Sequence, residues 1–204
     1  MRAGVVHFTT GPEEDPMTPT EAPTALMTAE EFAAKYDDAP FELVRGKVVP
    51  LAMPGHFNHG VACARFARHL ANFVEDRGLG FVASNDVYVV VERNPDTLRG
   101  ADVAYWPTAK VPGGAGTRGL IYDPPDLCAE VVSPSNTWSD IFAKTAEYHA
   151  AGVTVVVVLD PDTKIASVYR KLNGDDQHEF GVDAELTLPD VLPGFSVPVR
   201  AFFE

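Results

Sequence analysis

Positive charge is scarce in this chain. Lysine and arginine number 16 against 29 aspartates and glutamates in 204 residues, a formal net charge of −13. An acidic surface repels phosphate, and non-specific nucleic-acid binding rests on basic patches. The composition therefore argues against tight DNA binding by a monomer, while leaving room for a local basic groove. Cysteine is scarcer still. Cys63 and Cys128 are the two present; both fall inside expected elements and show no metal-ligand spacing. That excludes a disulfide framework and points to buried thiols in a reducing compartment. No apolar run reaches the length of a membrane span. The opening MRAGVVHFTTGPEEDP lacks the long apolar stretch of a secretory signal. The expectation is a cytoplasmic protein that does not enter a membrane. There is no internal repeat. The segment PTAKVPGGAGTRG reads as a mobile loop; without the Walker spacing or its Lys-Ser/Thr end it is no phosphate-binding loop. Its Lys110 and Arg118 could approach a phosphate backbone, but a merely solvated loop is the better reading.

What is present is ample for a core: 46% of the residues are hydrophobic, and the length suits one domain with a tail. Residues 1–24, rich in Pro, Thr and Glu without apolar periodicity, read as a disordered tail, and residues 25–204 as the domain. The chain is organised around Asp126 to Asp160. Leu127 to Val132 is apolar and β-branched except for Glu130, which suits a strand buried on both faces. A lone carboxylate there is costly unless it is paired or bound to a metal. After a Ser-Pro-Ser-Asn turn, Thr137 and Asp140 have capping-box spacing, so a helix starts there and stops at Gly152. Asp140, Lys144 and Tyr148 recur at four-residue spacing and share a helix face. Val153 to Leu159 is then another buried strand.

The flanking segments read in order. Thr28 with Glu31 caps a short helix over 28–36. FELVRGKVVPL is a hairpin turning at Arg45-Gly46. On pattern alone Glu42 reads as a solvent-facing residue of an alternating strand. A helix over 58–77 buries Ala62, Phe66, Leu70 and Phe73 and ends at Gly78. His56 and His59 at its mouth have metal-compatible spacing but no third ligand nearby in sequence, so a helix-end or groove-lining role is the simpler reading. Phe81 to Val91 is a strand, ERNPDTLRG a turn, and ADVAYW a strand with Asp102 near its start. KIASVYRKL pairs antiparallel with Val153–Leu159 across the DPDT turn, NGDDQ is a further turn, and the stretch from His178 to Glu204 edges or closes the sheet.

Asp102 and Glu130 lie on successive strands, and Lys144 on the helix that follows. Two carboxylates on neighbouring strands hold a hard divalent ion such as magnesium, and a lysine beside them orients a water or offsets charge on a phosphate. Each has an ordinary reading too: Asp102 as a strand cap, Asp140 with Lys144 as an exposed ion pair. Glu130, inside an apolar run, resists one.

These pieces together resemble the Uma-two family of restriction-endonuclease-like proteins, within the PD-(D/E)xK nuclease superfamily. FELVRGKVV, HFNHG, ADVAYW, DLCAEVVSPSNTWSDIFAKTAEYHAAGV and VLDPDTKIASVYR match in family order over about residues 26 to 200. The resemblance implies an α/β restriction-endonuclease-like fold: a mixed central sheet flanked by helices, with an N-terminal helix and hairpin. It implies that Asp102 is the acid of the PD motif and Glu130 that of the (D/E)xK motif, the two holding Mg2+, with Mn2+ as the alternative. The superfamily's lysine would fall at Val132, which cannot serve; Lys144 from the helix substitutes. Glu42 matches a glutamate lying near the site, and Asp140 and Tyr148 match family positions without an assigned role. Ala101 stands in place of the proline before the first acid, Phe41 in place of tyrosine, and Thr154-Val155-Val156 in place of Glu-Tyr-Trp. None of these removes a ligand.

The reading implied is a metal-dependent DNA endonuclease in which a metal-activated water attacks the phosphodiester, with Asp102, Glu130, Lys144 and Glu42 as the catalytic set. A homodimer would suit cutting of both strands. The alternative is a nuclease-fold binding or regulatory module with weak or no catalysis, which the acidic charge and the displaced lysine favour. A third reading is a hydrolase of a small phosphorylated or acidic substrate.

Overall fold

The computed structural model describes residues 26–36, 39–51, 56–134, 136–170 and 176–204. The expected disordered tail lies outside the described residues, as does most of the NGDDQ turn. Among the described residues no helix is long and apolar enough to cross a membrane.

Helix α1 (Ala29–Lys35) opens with the expected capping box: Glu31 N–H donates to the Thr28 hydroxyl at 3.2 Å, and Thr28 N–H to the Glu31 carboxylate at 2.9 Å. Strands β1 (Phe41–Val44) and β2 (Lys47–Pro50) form the hairpin, with Arg45 and Gly46 both at positive φ (50° and 73°) as a two-residue primed turn needs. In α2 (Phe57–Glu75) the buried stripe runs His59, Ala62, Phe66, Leu70 and Val74. Val74, one residue beyond the expected Phe73, follows Leu70 by four and so stays in line at 3.6 residues per turn. Strands β3 (Gly80–Glu92) and β4 (Thr97–Pro107) pair along their whole length. Here the expectation of a turn through Gly100 was too long: β4 begins at Thr97, because Thr97 and Leu98 are buried against β3 and β1.

After β4 the Gly- and Pro-rich segment holds two single 3-10 turns, Thr108–Lys110 and Gly114–Gly116. Lys110 is drawn inward to Asp126 (2.7 Å) and to the Pro124 carbonyl (2.8 Å), so it is not a free phosphate ligand. Strand β5 (Leu127–Val131), helix α3 (Trp138–Ala151) and strand β6 (Val155–Asp160) make a parallel crossover. Thr137 and Asp140 form the capping box of α3, and Gly152 ends it at φ 112°. Strands β7 (Ile165–Arg170) and β8 (Asp176–Phe180) extend the sheet antiparallel. The C-terminal part was expected to edge or close the sheet. Beyond β8 it instead forms a separate hairpin, β9 (Glu185–Leu188) with β10 (Leu192–Pro198), and a last turn of helix, α4 (Arg200–Phe203).

The fold is thus α/β with a mixed, eight-stranded sheet. Strand alternation assigns its two faces. Val103, Tyr105, Leu127, Ala129, Val131, Val155 and Val157 pack on α2 and the C-terminal hairpin. Ala104, Trp106, Cys128, Val156 and Val158 pack on α3. Glu130 follows Cys128 by two and therefore faces α3.

One feature of the sheet positions everything polar. Strand β3 runs along one edge of β4 throughout, so β1, which pairs at Leu98, and β5, which pairs from Val103 to Tyr105, share the other edge. Between them, at residues 99–102, β4 has no strand partner on that side among the described residues. A backbone edge left open inside a protein must find other hydrogen bonds.

Candidate active site

Side chains from three elements close this gap. Gly100 N–H donates to Glu42 Oε1 of β1 at 3.0 Å. The Gly100 carbonyl accepts from Lys144 Nζ at 3.1 Å and from the Tyr148 hydroxyl at 3.5 Å, both on α3. Asp102 ends the β4–β5 ladder with its side chain, Oδ2 accepting the Val131 N–H at 2.6 Å. The spacing that put Lys144 and Tyr148 on one helix face therefore delivers both to one strand gap.

Glu42 is not solvent-facing, as the strand pattern alone suggested. It is 5% exposed, because it fills the branch between β1 and β5. Its Oε2 meets Arg99 at 2.8 Å and its Oε1 meets Lys144 at 3.0 Å. Arg99 is clamped from the other side by Glu147 with bonds of 2.6 and 3.0 Å, a two-pronged pairing that fixes the guanidinium plane. Lys144 also reaches Glu130 Oε2 at 3.3 Å, and Tyr148 donates to Glu130 Oε1 at 2.7 Å. Burial pushes the Glu130 carboxyl up to about 7, with Lys144 pulling against it and Asp102 adding to it. Burial disfavours the Lys144 cation, but Glu130 and Glu42 outweigh it and hold the ammonium above its ordinary range.

Glu42, Arg99, Asp102, Glu130 and Lys144 line a cleft of about 270 Å³ together with His59, Asp86 and Asp140. Asp140 stays exposed and serves the cap: it accepts from the Thr137 hydroxyl at 2.6 Å, which holds its carboxyl below the ordinary value. His56 is the exposed residue before α2 and makes no capping bond. His59 is buried, and its Nε2 lies 3.4 Å from Asp102 Oδ2. Burial draws the imidazole down, while the Asp102 hydrogen bond and the charges of Asp102, Asp86 and Glu130 lift it above its ordinary value. Cys63, one turn on, places Sγ 3.6 Å from His59 Nδ1, its thiol pushed up by burial and by Asp102.

Asp86 was not singled out in the sequence. It sits on β3 where the register slips between Ser84 and Val87, with Asn85 and Asp86 both at positive φ (73° and 55°). Such a bulge turns a side chain out of the strand's alternation, here over Gly100, where a Cβ would meet Asp86 Cβ at 3.1 Å. The signal was present: Asn-Asp is the residue pair that tolerates left-handed backbone, and it interrupts a strand-like run. Burial raises the Asp86 carboxyl, and Asp102 raises it further.

Carboxylates outnumber the basic side chains among the residues that line the cleft. Arg99 and Lys144 are each already held between carboxylates. Among the described residues Asp86 makes no hydrogen bond or ion pair, and Asp102 Oδ1 has no hydrogen-bond partner. Two such half-buried carboxylates with free oxygens disfavour each other's charge, and a proton or an added cation relieves that. Oxygen donors of this kind suit magnesium or manganese.

A family model described as "Uma2: Putative restriction endonuclease" matches residues 29–200. The fold is similar to the crystal structure of a "putative nuclease belonging to DUF820" from Anabaena variabilis, with a TM-score of 0.73 at 17% identity, covering 87% of this chain and 97% of that one. No curated protein matches the chain significantly.

Proposed function

Starting from the fact that this chain belongs to the Uma2 family, we propose that it is a metal-dependent endonuclease acting on DNA, with its reaction centre in the cleft at the β1–β4–β5 branch. The observation that carries the reading is the meeting of Asp102, Glu130 and Lys144 from three separate elements, beside carboxylate oxygens that lack a partner. Asp102 and Glu130, with Asp86 beside them, would hold Mg2+ or Mn2+. When bound, such an ion supplies Lewis-acid polarisation of the phosphoryl group and lowers the pKa of an attacking water.

The protein's own groups do the rest. Lys144, fixed by Glu42, Glu130 and the Gly100 carbonyl, would hold an ammonium whose positive field offsets the charge gained by a phosphate oxygen in the cleft. Glu42 keeps Lys144 and Arg99 in place and so acts through them. Tyr148 orients Glu130. Neutralising the Asp86–Asp102 pair also removes the local repulsion that an acidic cleft exerts on phosphate. Two copies acting together suit cutting of both strands, since a duplex has two-fold symmetry.

A second reading, a nuclease-fold binding module, is favoured by one observation: both cations of the cleft are already paired with carboxylates. Nicking of supercoiled plasmid separates the two. The nuclease reading expects cutting that needs Mg2+ or Mn2+ and is lost in Asp102→Asn. Wild-type protein that binds Mn2+ by calorimetry yet leaves every DNA form intact would favour the module.

A further inference from the structure

We propose that His59, Cys63 and Asp102 form a site for a borderline-soft divalent ion of the zinc class, adjoining the oxygen-lined cleft and sharing Asp102 with it. Helix α2 sets His59 and Cys63 four residues apart on its inward side, the spacing at which two helical side chains grip one ion. Opposite them β4 supplies Asp102. Among the described residues this is the set of metal-ligating groups whose ligand atoms all lie within 4.8 Å of one another.

The distances suit one ion. Zinc bonds of about 2.0–2.2 Å to nitrogen and oxygen and about 2.3 Å to sulfur give tetrahedral edges of roughly 3.3–3.6 Å. His59 Nε2 lies 3.4 Å from Asp102 Oδ2 and 4.0 Å from Cys63 Sγ, so small side-chain adjustments close the triangle. Asp102 is pre-oriented by the 2.6 Å bond from Val131 N–H. The donor chemistry separates this site from its neighbour: imidazole and thiolate select zinc or cobalt and are poor ligands for magnesium. A bare His59–Asp102 pair would serve packing without a thiol turned to the ring. His59 and Asp102 also line the cleft, from which a water would reach a bound ion.

Asp102 cannot serve both ions fully. A zinc-class ion held here draws that carboxylate from the magnesium site, so zinc acts as an inhibitor of the cleavage proposed above. The binding itself does not depend on that reading, because it is measured without DNA. Failure to cleave leaves it standing, and failure to bind cobalt leaves the nuclease reading standing.

The test is titration of the full chain with Co2+, followed by absorbance. The expected result is a saturable thiolate-to-cobalt charge-transfer band that Zn2+ abolishes and excess Mg2+ does not. The band is lost in Cys63→Ser, with the buried Cys128 still present. His59→Gln, a second variant should Cys63→Ser fold poorly by circular dichroism, weakens Co2+ binding by more than about tenfold. In cleavage assays the Zn2+ concentration needed for inhibition rises by a similar factor in Cys63→Ser. No band in the wild type, or a band unchanged in Cys63→Ser and His59→Gln, overturns the proposal.

Discussion

Lys144 and Glu130 lie 14 residues apart on different elements, yet their charged atoms meet at 3.3 Å. On the reading proposed above, the helix would supply the ammonium that a lysine two residues after the glutamate would otherwise supply. Val132, the residue at that position just beyond β5, follows Glu130 by two and packs against the cluster that includes Ile141 and Tyr148 of α3.

A relocation experiment follows from that placement. Lys144→Met is expected to lower metal-dependent cleavage by about 10²- to 10³-fold, the usual cost of losing one preorganised electrostatic group. Adding Val132→Lys returns an ammonium to the Glu130 face and recovers part of the rate. Plasmid nicking by the single and double variants checks this, and a double variant no faster than the single removes the equivalence of the two positions.

Tyr148 gives Glu130 its shortest hydrogen bond, 2.7 Å, in a fully buried setting. Tyr148→Phe is expected to cost about 1.5–3 kcal/mol, the range for a hydrogen bond to a charged group. Urea unfolding measures it. Because that bond also lowers the carboxyl's pKa, the variant shifts the pH dependence of metal binding upward.

The raised Glu130 carboxyl makes stability depend on pH in a defined sense. The folded state holds this proton more tightly than the unfolded chain, so protonation favours folding. The contribution is full below the ordinary value of 4.5 and is lost as pH rises through about 7. Its size is on the order of 3 kcal/mol. The stability of wild type relative to Glu130→Gln should therefore fall between these limits and level off above them. His59, also raised, acts in the same sense from its ordinary 6.5 upward, and because Glu130 is one of the charges that lift it, its contribution shrinks in the variant as well. Metal binding runs the other way: Mg2+ must displace the Glu130 proton, so affinity climbs until about pH 7. Calorimetry showing flat affinity from pH 5 to 8 would remove Glu130 from the ligand set.

The cap of α3 carries a cost of its own. Thr137→Ala removes the hydroxyl that Asp140 N–H and the Asp140 carboxylate both bond, and about 1 kcal/mol of stability is expected to go with it. Since that helix start sets the position of Lys144, cleavage should fall as well, without loss of Mn2+ affinity in calorimetry.

Much of this was legible in the sequence because the signals were local. Thr137 with Asp140, Gly152, Arg45-Gly46 and the apolar run around Glu130 each declare an element through their own neighbours. The four-residue spacing of Lys144 and Tyr148 put both on one face before any partner was known. What was hidden depends on contacts distant in sequence. Glu42 reads as an exposed strand residue until β1 and β5 are seen to share an edge of β4. Asp86 enters the cleft through a register slip that no alternation pattern contains. Arg99, placed in a turn by its neighbours, belongs to a strand because Thr97 and Leu98 are buried by β1 and β3. His59 turns to Asp102 of β4 rather than sharing a role with His56, a contact that the spacing of the two histidines does not contain.

The measurement that tests the division of labour most directly is Mn2+ binding and DNA cleavage on the same preparations of wild type, Asp102→Asn and Lys144→Met. The account predicts that Asp102→Asn loses both binding and cutting, whereas Lys144→Met keeps Mn2+ binding and loses cutting. Asp102→Asn protein that cuts DNA at the wild-type rate would contradict it.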